Sequence, residues 1–245
     1  MRLMPSGSIQ MAKMRAEVLG LLLGIVLSAG PAAAYDPYDP ANCTGGWDDK
    51  RVVSKVTGKP RVNFIKSPYD DNFKAENCPA AVEACRKQSY LVTGDLVLTG
   101  RTRGEFTCVS YHSPLAKTRT WTIGWLSSAA LTPVAPMPSP KTSDWVGNWR
   151  QGQSYVGGGL VEIKAGDGGK LHVDAGILLP TARDSHNGAF EGEAVVQGDT
   201  LTFADSYDDG CRVRMQRIER WLLIVDNGGC GGAGVTFTGL YRRKK

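Results

Sequence analysis

Histidine is scarce in this 245-residue sequence, and the patterns that usually carry catalytic or metal chemistry are missing. The three histidines are His112, His172 and His186, and none stands at metal-ligand spacing from another histidine or a cysteine. No Gly-x-Ser-x-Gly motif occurs, and the glycine-rich run 228–232 lacks the lysine and the helix of a phosphate-binding loop. The sequence therefore predicts no catalytic centre, metal site or cofactor, and we expect a protein that is not an enzyme.

Long apolar runs are also missing, apart from one near the start. Three basic residues within the first 15 positions precede the apolar run Val18–Gly30, and small residues follow up to Ala34. The run is shorter than the roughly 20 residues that cross a bilayer. The order of basic, apolar and small residues is typical of a secretory signal peptide. We predict that residues 1–34 are removed, that the mature chain has no transmembrane segment, and that it is periplasmic or fully secreted.

The charge balance is mild. The formal net charge is +5, and part of it lies in the last four residues, 242–245. Nucleic-acid binding needs a clustered basic face, which this pattern does not indicate. We therefore expect no nucleic-acid partner.

Cysteine is the most informative residue type. The mature part holds all six, and an even number in an exported chain predicts three disulfides. Four cysteines in the first half allow three pairings. The favoured one joins Cys78 to Cys85 and Cys43 to Cys108, while the pairing of Cys43 with Cys78 and of Cys85 with Cys108 stays open.

Proline marks a boundary between two halves. Four prolines fall between positions 133 and 140, which favours an extended, semi-rigid spacer. We place a linker at 134–143, with one domain before it and one after it. Residues 35–60 are expected to form an irregular arm tied down through Cys43. Short β-branched and aromatic runs separated by frequent turn residues predict an all-β chain.

The first domain, 61–133, has strand candidates at 61–65, 90–92, 96–98, 106–111 and 122–126, and a polar insertion at 66–88. Its pattern resembles the bacterial SH3-like family at the following positions: Asn63, Gly94, Asp95, Phe106, Gly124, Trp125 and Leu131. The resemblance implies a small β-barrel, and family members often bind cell-wall peptides or proteins. The insertion departs from the family, which usually has a short loop there.

Candidate ligand-binding residues follow from this resemblance and from the value of aromatic side chains in binding grooves. They are Asn63, Tyr90, Tyr111, Trp121 and Trp125. For Trp125 two roles are open, since it could pack in the core of the barrel instead of lining its groove.

The second domain, 144–245, has eight strand candidates with apolar residues at every second position, as in half-buried strands. Eight short antiparallel strands predict an up-and-down barrel, in which the first strand, 145–149, pairs with the last, 237–242. Cys211 and Cys230 flank one hairpin of this barrel and are predicted to pair. The opening Trp-x-Gly-x-Trp of 145–149 loosely resembles calycin-type barrels such as the lipocalins, and the domain also resembles the conserved-hypothetical domains of bacterial envelope proteins. A barrel of this size is filled by side chains or holds one small ligand.

These observations favour a non-catalytic, exported binding protein of the cell envelope. Its SH3-like domain would recognise a peptidoglycan peptide or an envelope protein. The alternative is an inhibitor or immunity protein against a wall-degrading enzyme such as lysozyme, because rigid exported loops lose little entropy on binding. In that case the insertion 66–88 is the expected contact.

Overall fold

The computed structural model describes residue 43 and the ranges 51–58, 60–113, 121–152, 158–180, 184–206 and 210–244. The predicted signal peptide lies outside them. The described chain is almost entirely β-structure, so the all-β prediction is confirmed. Two antiparallel sheets are present, here called sheet A and sheet B. The longest helix of the described residues has four residues, and none of these helices has the length and apolar character to cross a membrane.

Sheet A has seven strands in the first half of the chain. They are β1 Val52–Val56, β2 Arg61–Ile65, β3 Arg86–Val92, β4 Leu96–Arg103, β5 Phe106–Tyr111, β6 Thr122–Ser127 and β7 Leu131–Pro133. Their order across the sheet is β3-β2-β6-β5-β4-β1-β7. A short 3-10 turn, Ser128–Ala130, separates β6 from β7. The strand, short turn and Leu131 follow one another in the order that the SH3-like resemblance implies, and membership of that family stays a prediction.

Sheet A begins earlier than the sequence analysis expects. The prediction of an irregular arm over 35–60 is wrong for Val52–Val56, because this segment forms β1, which pairs with β4 on one side and with β7 on the other. Val53 and Val56 are buried in two hydrophobic clusters, and the burial of such β-branched residues stabilises a strand here. The strand predicted at 96–98 is also longer, since β4 continues to Arg103 after a register shift between Thr99 and Thr102.

Sheet B is a closed barrel of eight strands, as predicted. They are β8 Gly147–Arg150, β9 Gly159–Ala165, β10 Leu171–Pro180, β11 Ser185–Gln197, β12 Thr200–Ala204, β13 Arg212–Ile218, β14 Trp221–Asp226 and β15 Gly239–Arg243. Neighbours in sequence are neighbours in the barrel, and β15 pairs with β8 to close it. Helix α1, Thr142–Trp145, precedes β8 and takes up the end of the predicted linker and the first residue of the predicted strand 145–149. The Asp144 carboxylate accepts a hydrogen bond from the Lys141 N–H at its start.

Side chains fill the interior of the barrel over its described strands. Along β9 and β10 every second residue is buried, and the inward ones join a single hydrophobic cluster. Gly159 is one of the buried residues of β9. This position requires glycine, because a Cβ atom there would approach the Tyr241 Oη to 2.4 Å. Trp149 lies at one end of the barrel, with the guanidinium groups of Arg217 and Arg243 at 4.4 and 4.8 Å from its ring centre. Burial lowers the pKa of Arg217, and the charge of Arg243 adds to this effect.

The three disulfides are Cys43–Cys108, Cys78–Cys85 and Cys211–Cys230. These are the pairs that the sequence analysis favours. Cys43–Cys108 joins the arm to β5, and Cys78–Cys85 closes part of the insertion. Cys211–Cys230 joins the two ends of the β13–β14 hairpin, as expected for an antiparallel hairpin flanked by cysteines.

The two sheets pack directly against each other through β14. All six residues of β14 are buried. Leu222 and Ile224 face the barrel interior, whereas Trp221, Leu223 and Val225 join a cluster that contains Val53 and Leu98 of sheet A. A second set of contacts comes from the backbone of the predicted linker.

The linker residues Val134 and Met137 are hydrogen-bonded to opposite sheets. The Val134 N–H donates to the Val53 carbonyl at 2.9 Å, and the Met137 N–H donates to the Arg217 carbonyl at 2.7 Å. The predicted spacer is therefore held to both sheets along its described backbone, and the assignment of two separate domains stays a prediction.

The segment before β15 is hydrogen-bonded to a buried carboxylate and does not continue the strand. The predicted last strand starts at residue 237, but the observed strand begins at Gly239. The segment before it is hydrogen-bonded to Asp226, which is 2% exposed. Asp226 accepts hydrogen bonds from the Thr236 and Thr238 hydroxyls at 2.5 and 2.6 Å and from the Phe237 and Thr238 N–H groups at 3.2 Å each.

We expect Asp226→Ala to destabilise the protein by about 2–4 kcal/mol, because it leaves several buried donors without an acceptor. Urea unfolding of the oxidised protein measures this loss. The control is Asp167→Ala at an exposed turn, which we expect to change stability by less than about 0.5 kcal/mol. Equal midpoints for the two variants would show that Asp226 does not stabilise segment 235–238.

Candidate functional site: a cleft between the sheets

A cleft of about 370 Å³ opens beside the contact between the two sheets. Sheet A contributes the turn before β4 and the end of β5, and the barrel contributes the β13–β14 turn and β15. The residues that give the cleft its chemistry are Lys55, Asp95, Tyr111, Trp121, Glu219, Arg220, Trp221 and Arg242. Its volume is that of a site for a small ligand.

Aromatic rings form much of the cleft wall. His112 and Trp121 lie with their ring centroids 5.3 Å apart at an angle of 53°. Trp221 enters from the barrel and is 9% exposed. Aromatic side chains offer large contact area with few torsions to fix, which suits a recognition surface.

Asp95 and Tyr111 form a polar pair on the sheet A side. The Asp95 carboxylate accepts hydrogen bonds from the Val92 N–H at 2.9 Å and from the Tyr111 hydroxyl at 3.3 Å. Burial raises the pKa of Tyr111, and the charge of Asp95 raises it further. The phenol therefore remains protonated at neutral pH and keeps donating to the carboxylate, which it holds towards the cleft.

Three cations line the cleft, and only one of them has an anionic partner among the described residues. Lys55 forms an ion pair with Glu219 at 2.8 Å, which joins sheet A to the barrel. Both side chains are well exposed, so the pair contributes at most about 1 kcal/mol. The Arg220 guanidinium lies 5.5 Å from the Trp221 ring centre, and Arg242 stands opposite Trp221 in the β14–β15 register.

The residues predicted to bind a ligand do not form one site. Tyr111 and Trp121 line the cleft. Trp125 is completely buried in a cluster around the Cys43–Cys108 disulfide, where it packs in the core. Asn63 and Tyr90 face each other across β2 and β3 and line no part of the cleft.

The contacts of Asn63 and Tyr90 are local. The Asn63 side-chain amide donates to the Lys87 carbonyl at 2.9 Å. The Arg61 guanidinium lies 4.3 Å from the centre of the Tyr90 ring, and Tyr90 is 42% exposed. Tyr90 is thus an exposed aromatic residue of sheet A outside the cleft.

The barrel side of the cleft is not foreseen by the sequence analysis. Arg220, Trp221 and Arg242 belong to a domain whose strands were interpreted only as barrel walls. One signal was present, because the β14 sequence Trp-Leu-Leu-Ile-Val is a continuous apolar run. Such a run indicates a strand buried on both faces, and hence a second packing partner.

The insertion 66–88 is a second exposed surface. The Cys78–Cys85 disulfide and two ion pairs, Lys66–Glu76 and Lys87–Asp70, link parts of it to one another. Two large hydrophobic residues remain exposed on it, Tyr69 at 62% and Val82 at 51%. Glu76 lies near Cys78 and Cys85, but the two sulfur atoms are bonded to each other and are not thiolate ligands.

The comparisons with known proteins returned no relative. No family model matches the chain, and no curated protein or solved structure shows significant similarity to it. The function must therefore be argued from the cleft and the insertion themselves.

Asp70 should give the insertion a measurable acid sensitivity. Burial alone would raise the pKa of Asp70, but hydrogen bonds from Lys87 and from the Ser67 backbone and hydroxyl outweigh it, so the pKa falls below 3.8. A carboxyl with a lowered folded-state pKa stabilises the protein fully above its unfolded value. That contribution is lost as pH falls through the folded value.

We therefore expect the unfolding free energy of the wild type to decrease below about pH 4 and that of Asp70→Asn to decrease less steeply. Urea unfolding between pH 2 and pH 6 measures both slopes. Asp167→Asn, at an exposed turn, serves as the control and should follow the wild type. Parallel curves for wild type and Asp70→Asn would contradict a lowered pKa at this position.

Proposed function

We propose that this chain is a non-catalytic, exported binding protein of the bacterial cell envelope, and that the cleft between its sheets binds a short peptide of peptidoglycan. The observation that carries the proposal is the meeting of Tyr111 of β5 and Trp121, which precedes β6, with Trp221 of the barrel in one cleft. Two of the residues selected for peptide binding on sequence grounds thus face an aromatic residue from the other sheet.

Export is supported by two independent features. The start of the sequence has the order of a secretory signal peptide. The three disulfides suit an oxidising compartment, since cytosolic thiols are kept reduced. Peptidoglycan is a ligand that an exported bacterial protein meets outside the cytoplasmic membrane.

The dimensions and chemistry of the cleft favour a peptide over a bulky or purely apolar ligand. A volume of about 370 Å³ accommodates a few residues. Aromatic walls pack against aliphatic side chains, and the charged rim offers partners for the polar ends of a short peptide. A lipid carrier needs an enclosed apolar cavity, whereas the described side chains of this barrel pack its interior.

The first test is co-sedimentation of the oxidised mature protein with insoluble peptidoglycan. We expect retention of the wild type, and a loss of affinity of about tenfold or more in Trp121→Ala, because central aromatic residues often dominate binding. Tyr90→Ala is the matched control, since it removes an exposed aromatic residue of the same sheet outside the cleft. Circular dichroism confirms that each variant is folded.

Two results would count against the proposal. Absence of retention at low salt would remove peptidoglycan as the ligand and direct the search to envelope proteins. Equal retention of Trp121→Ala and wild type would remove the cleft as the site. Mass spectrometry of muropeptides incubated with the protein tests the non-catalytic part, and we expect every mass to be unchanged.

The insertion 66–88 favours a second candidate function, inhibition of a wall-degrading enzyme. Its disulfide and ion pairs constrain it before binding, and its exposed Tyr69 and Val82 could enter an active-site cleft. Peptide binding in the cleft does not use these residues.

Inhibition assays with lysozyme-type enzymes test this candidate. If the insertion is the contact, Val82→Ser should weaken inhibition about tenfold or more, as expected for a buried interface anchor. Val195→Ser is the control, because Val195 is 57% exposed on the barrel, on a different strand. An unchanged lysis rate at micromolar wild-type protein would eliminate the inhibitor function for the enzymes tested.

A further inference from the structure

We infer that the cleft selects a dipolar peptide, binding a free C-terminal carboxylate with Arg220 and Arg242 and an ammonium group with Asp95. This inference rests on the proposed function, because it specifies which ends of a wall peptide the cleft would recognise. It is carried by the positions of the charged side chains around the aromatic wall.

The barrel side of the cleft is a carboxylate site by its chemistry. Arg220 and Arg242 flank Trp221, one through the contact of its guanidinium with the ring and the other as its cross-strand neighbour. Residues directly opposite on antiparallel strands have Cβ atoms about 5 Å apart, so both arginines stand beside the same ring. Neither forms an ion pair with any other described residue.

Arginine suits this task better than lysine. Its planar guanidinium presents parallel N–H groups that match the two oxygens of a carboxylate. The contact of its guanidinium with the Trp221 ring, at 5.5 Å from the ring centre, restricts Arg220 before a ligand arrives, which reduces the entropy lost on binding. Trp221 itself is fixed by its burial between the sheets.

The sheet A side of the cleft is an ammonium site. Asp95 is held by the Val92 N–H and the Tyr111 hydroxyl, and each of its carboxylate oxygens accepts one of these hydrogen bonds. Each oxygen retains a further lone pair for a ligand. Among the described residues Asp95 has no cationic partner, since Lys55, the lysine of the cleft, is paired with Glu219.

The Lys55–Glu219 pair leaves the remaining charges arranged as a dipole. Its two charges cancel, so that Asp95 from sheet A and the two arginines from the barrel remain. A polyanion such as a phosphate polymer would be attracted by the arginines but repelled by Asp95. A peptide with one ammonium and one carboxylate matches both ends.

Wall peptides that end in alanine and carry a dibasic residue have both groups. The probe is therefore Nα-acetyl-Lys-D-Ala-D-Ala, whose lysine ammonium and terminal carboxylate are its only charges. Two derivatives each remove one charge, the C-terminal amide and the Nε-acetyl form. Tryptophan fluorescence or calorimetry measures binding to the full mature protein.

We expect the amide to bind wild type about tenfold more weakly than the acid, as for loss of a charge-assisted hydrogen bond. Arg242→Gln should weaken the acid by a similar factor and leave the amide unchanged. Asp95→Asn should weaken binding of the probe with a free lysine ammonium by a similar factor and leave binding of the Nε-acetyl form unchanged. Arg103→Gln, at an exposed end of β4 outside the cleft, controls for the change in net charge.

The outcomes separate this inference from the proposed function. Equal binding of acid and amide, with Trp121→Ala still defective, would overturn the dipolar inference and leave peptide binding intact. Retention on peptidoglycan without measurable binding of the probe would overturn it in the same way. Loss of both retention and probe binding would overturn the inference together with the proposed function.

Discussion

Strand β14 is buried on both faces, and the arrangement of the two sheets depends on that double burial. An antiparallel strand of a small soluble barrel usually has one face in the core and one in water. Here the inner face packs in the barrel, and the outer face packs against sheet A. Removing sheet A would expose Trp221, Leu223 and Val225 together, and an apolar patch of that kind favours aggregation. The two halves of the chain are therefore better dissected by point substitution than by truncation.

The same contact creates the cleft, which neither sheet contains alone. Sheet A supplies Asp95 and Tyr111, and the barrel supplies Arg220 and Arg242. The Lys55–Glu219 ion pair crosses the boundary at the edge of the cleft, where solvent limits its contribution to stability. The hydrophobic contact through β14 fixes the relative position of the walls, and the ion pair at the edge mainly reduces the number of uncompensated charges. The cleft and the packing between the sheets are in this sense one feature of the fold.

Much of the barrel could be predicted from the sequence because its strands follow local rules. Alternation of apolar and polar residues located the strands, and the flanking cysteines of one hairpin gave the Cys211–Cys230 pair. The docking of the sheets is a property of distant segments, and alternation reports only that a face is buried, not what covers it. For the same reason Trp125 was compatible with core and groove, and its complete burial was decided by tertiary packing. Strand β1 was missed because its run Val52–Val56 is short and its partners, β4 and β7, lie far along the chain, where local sequence rules do not reach.

The position of the Cys211–Cys230 disulfide relative to the cleft links the stability of the fold to the geometry of the proposed binding site. It closes the open end of the β13–β14 hairpin, while the turn at the other end carries Arg220 into the cleft. A disulfide that closes a loop of about 20 residues stabilises a fold by about 3 kcal/mol in the chain-entropy treatment. Cross-strand pairing transmits this constraint from the disulfide to the turn, since all six residues of β14 pair with β13 and all six are buried. The hairpin that presents the proposed carboxylate site is thereby covalently closed at one end and paired along its length, and its strand β14 is buried on both faces. These three constraints make the hairpin rigid, and a site for a small peptide requires such rigidity to hold its charges in place.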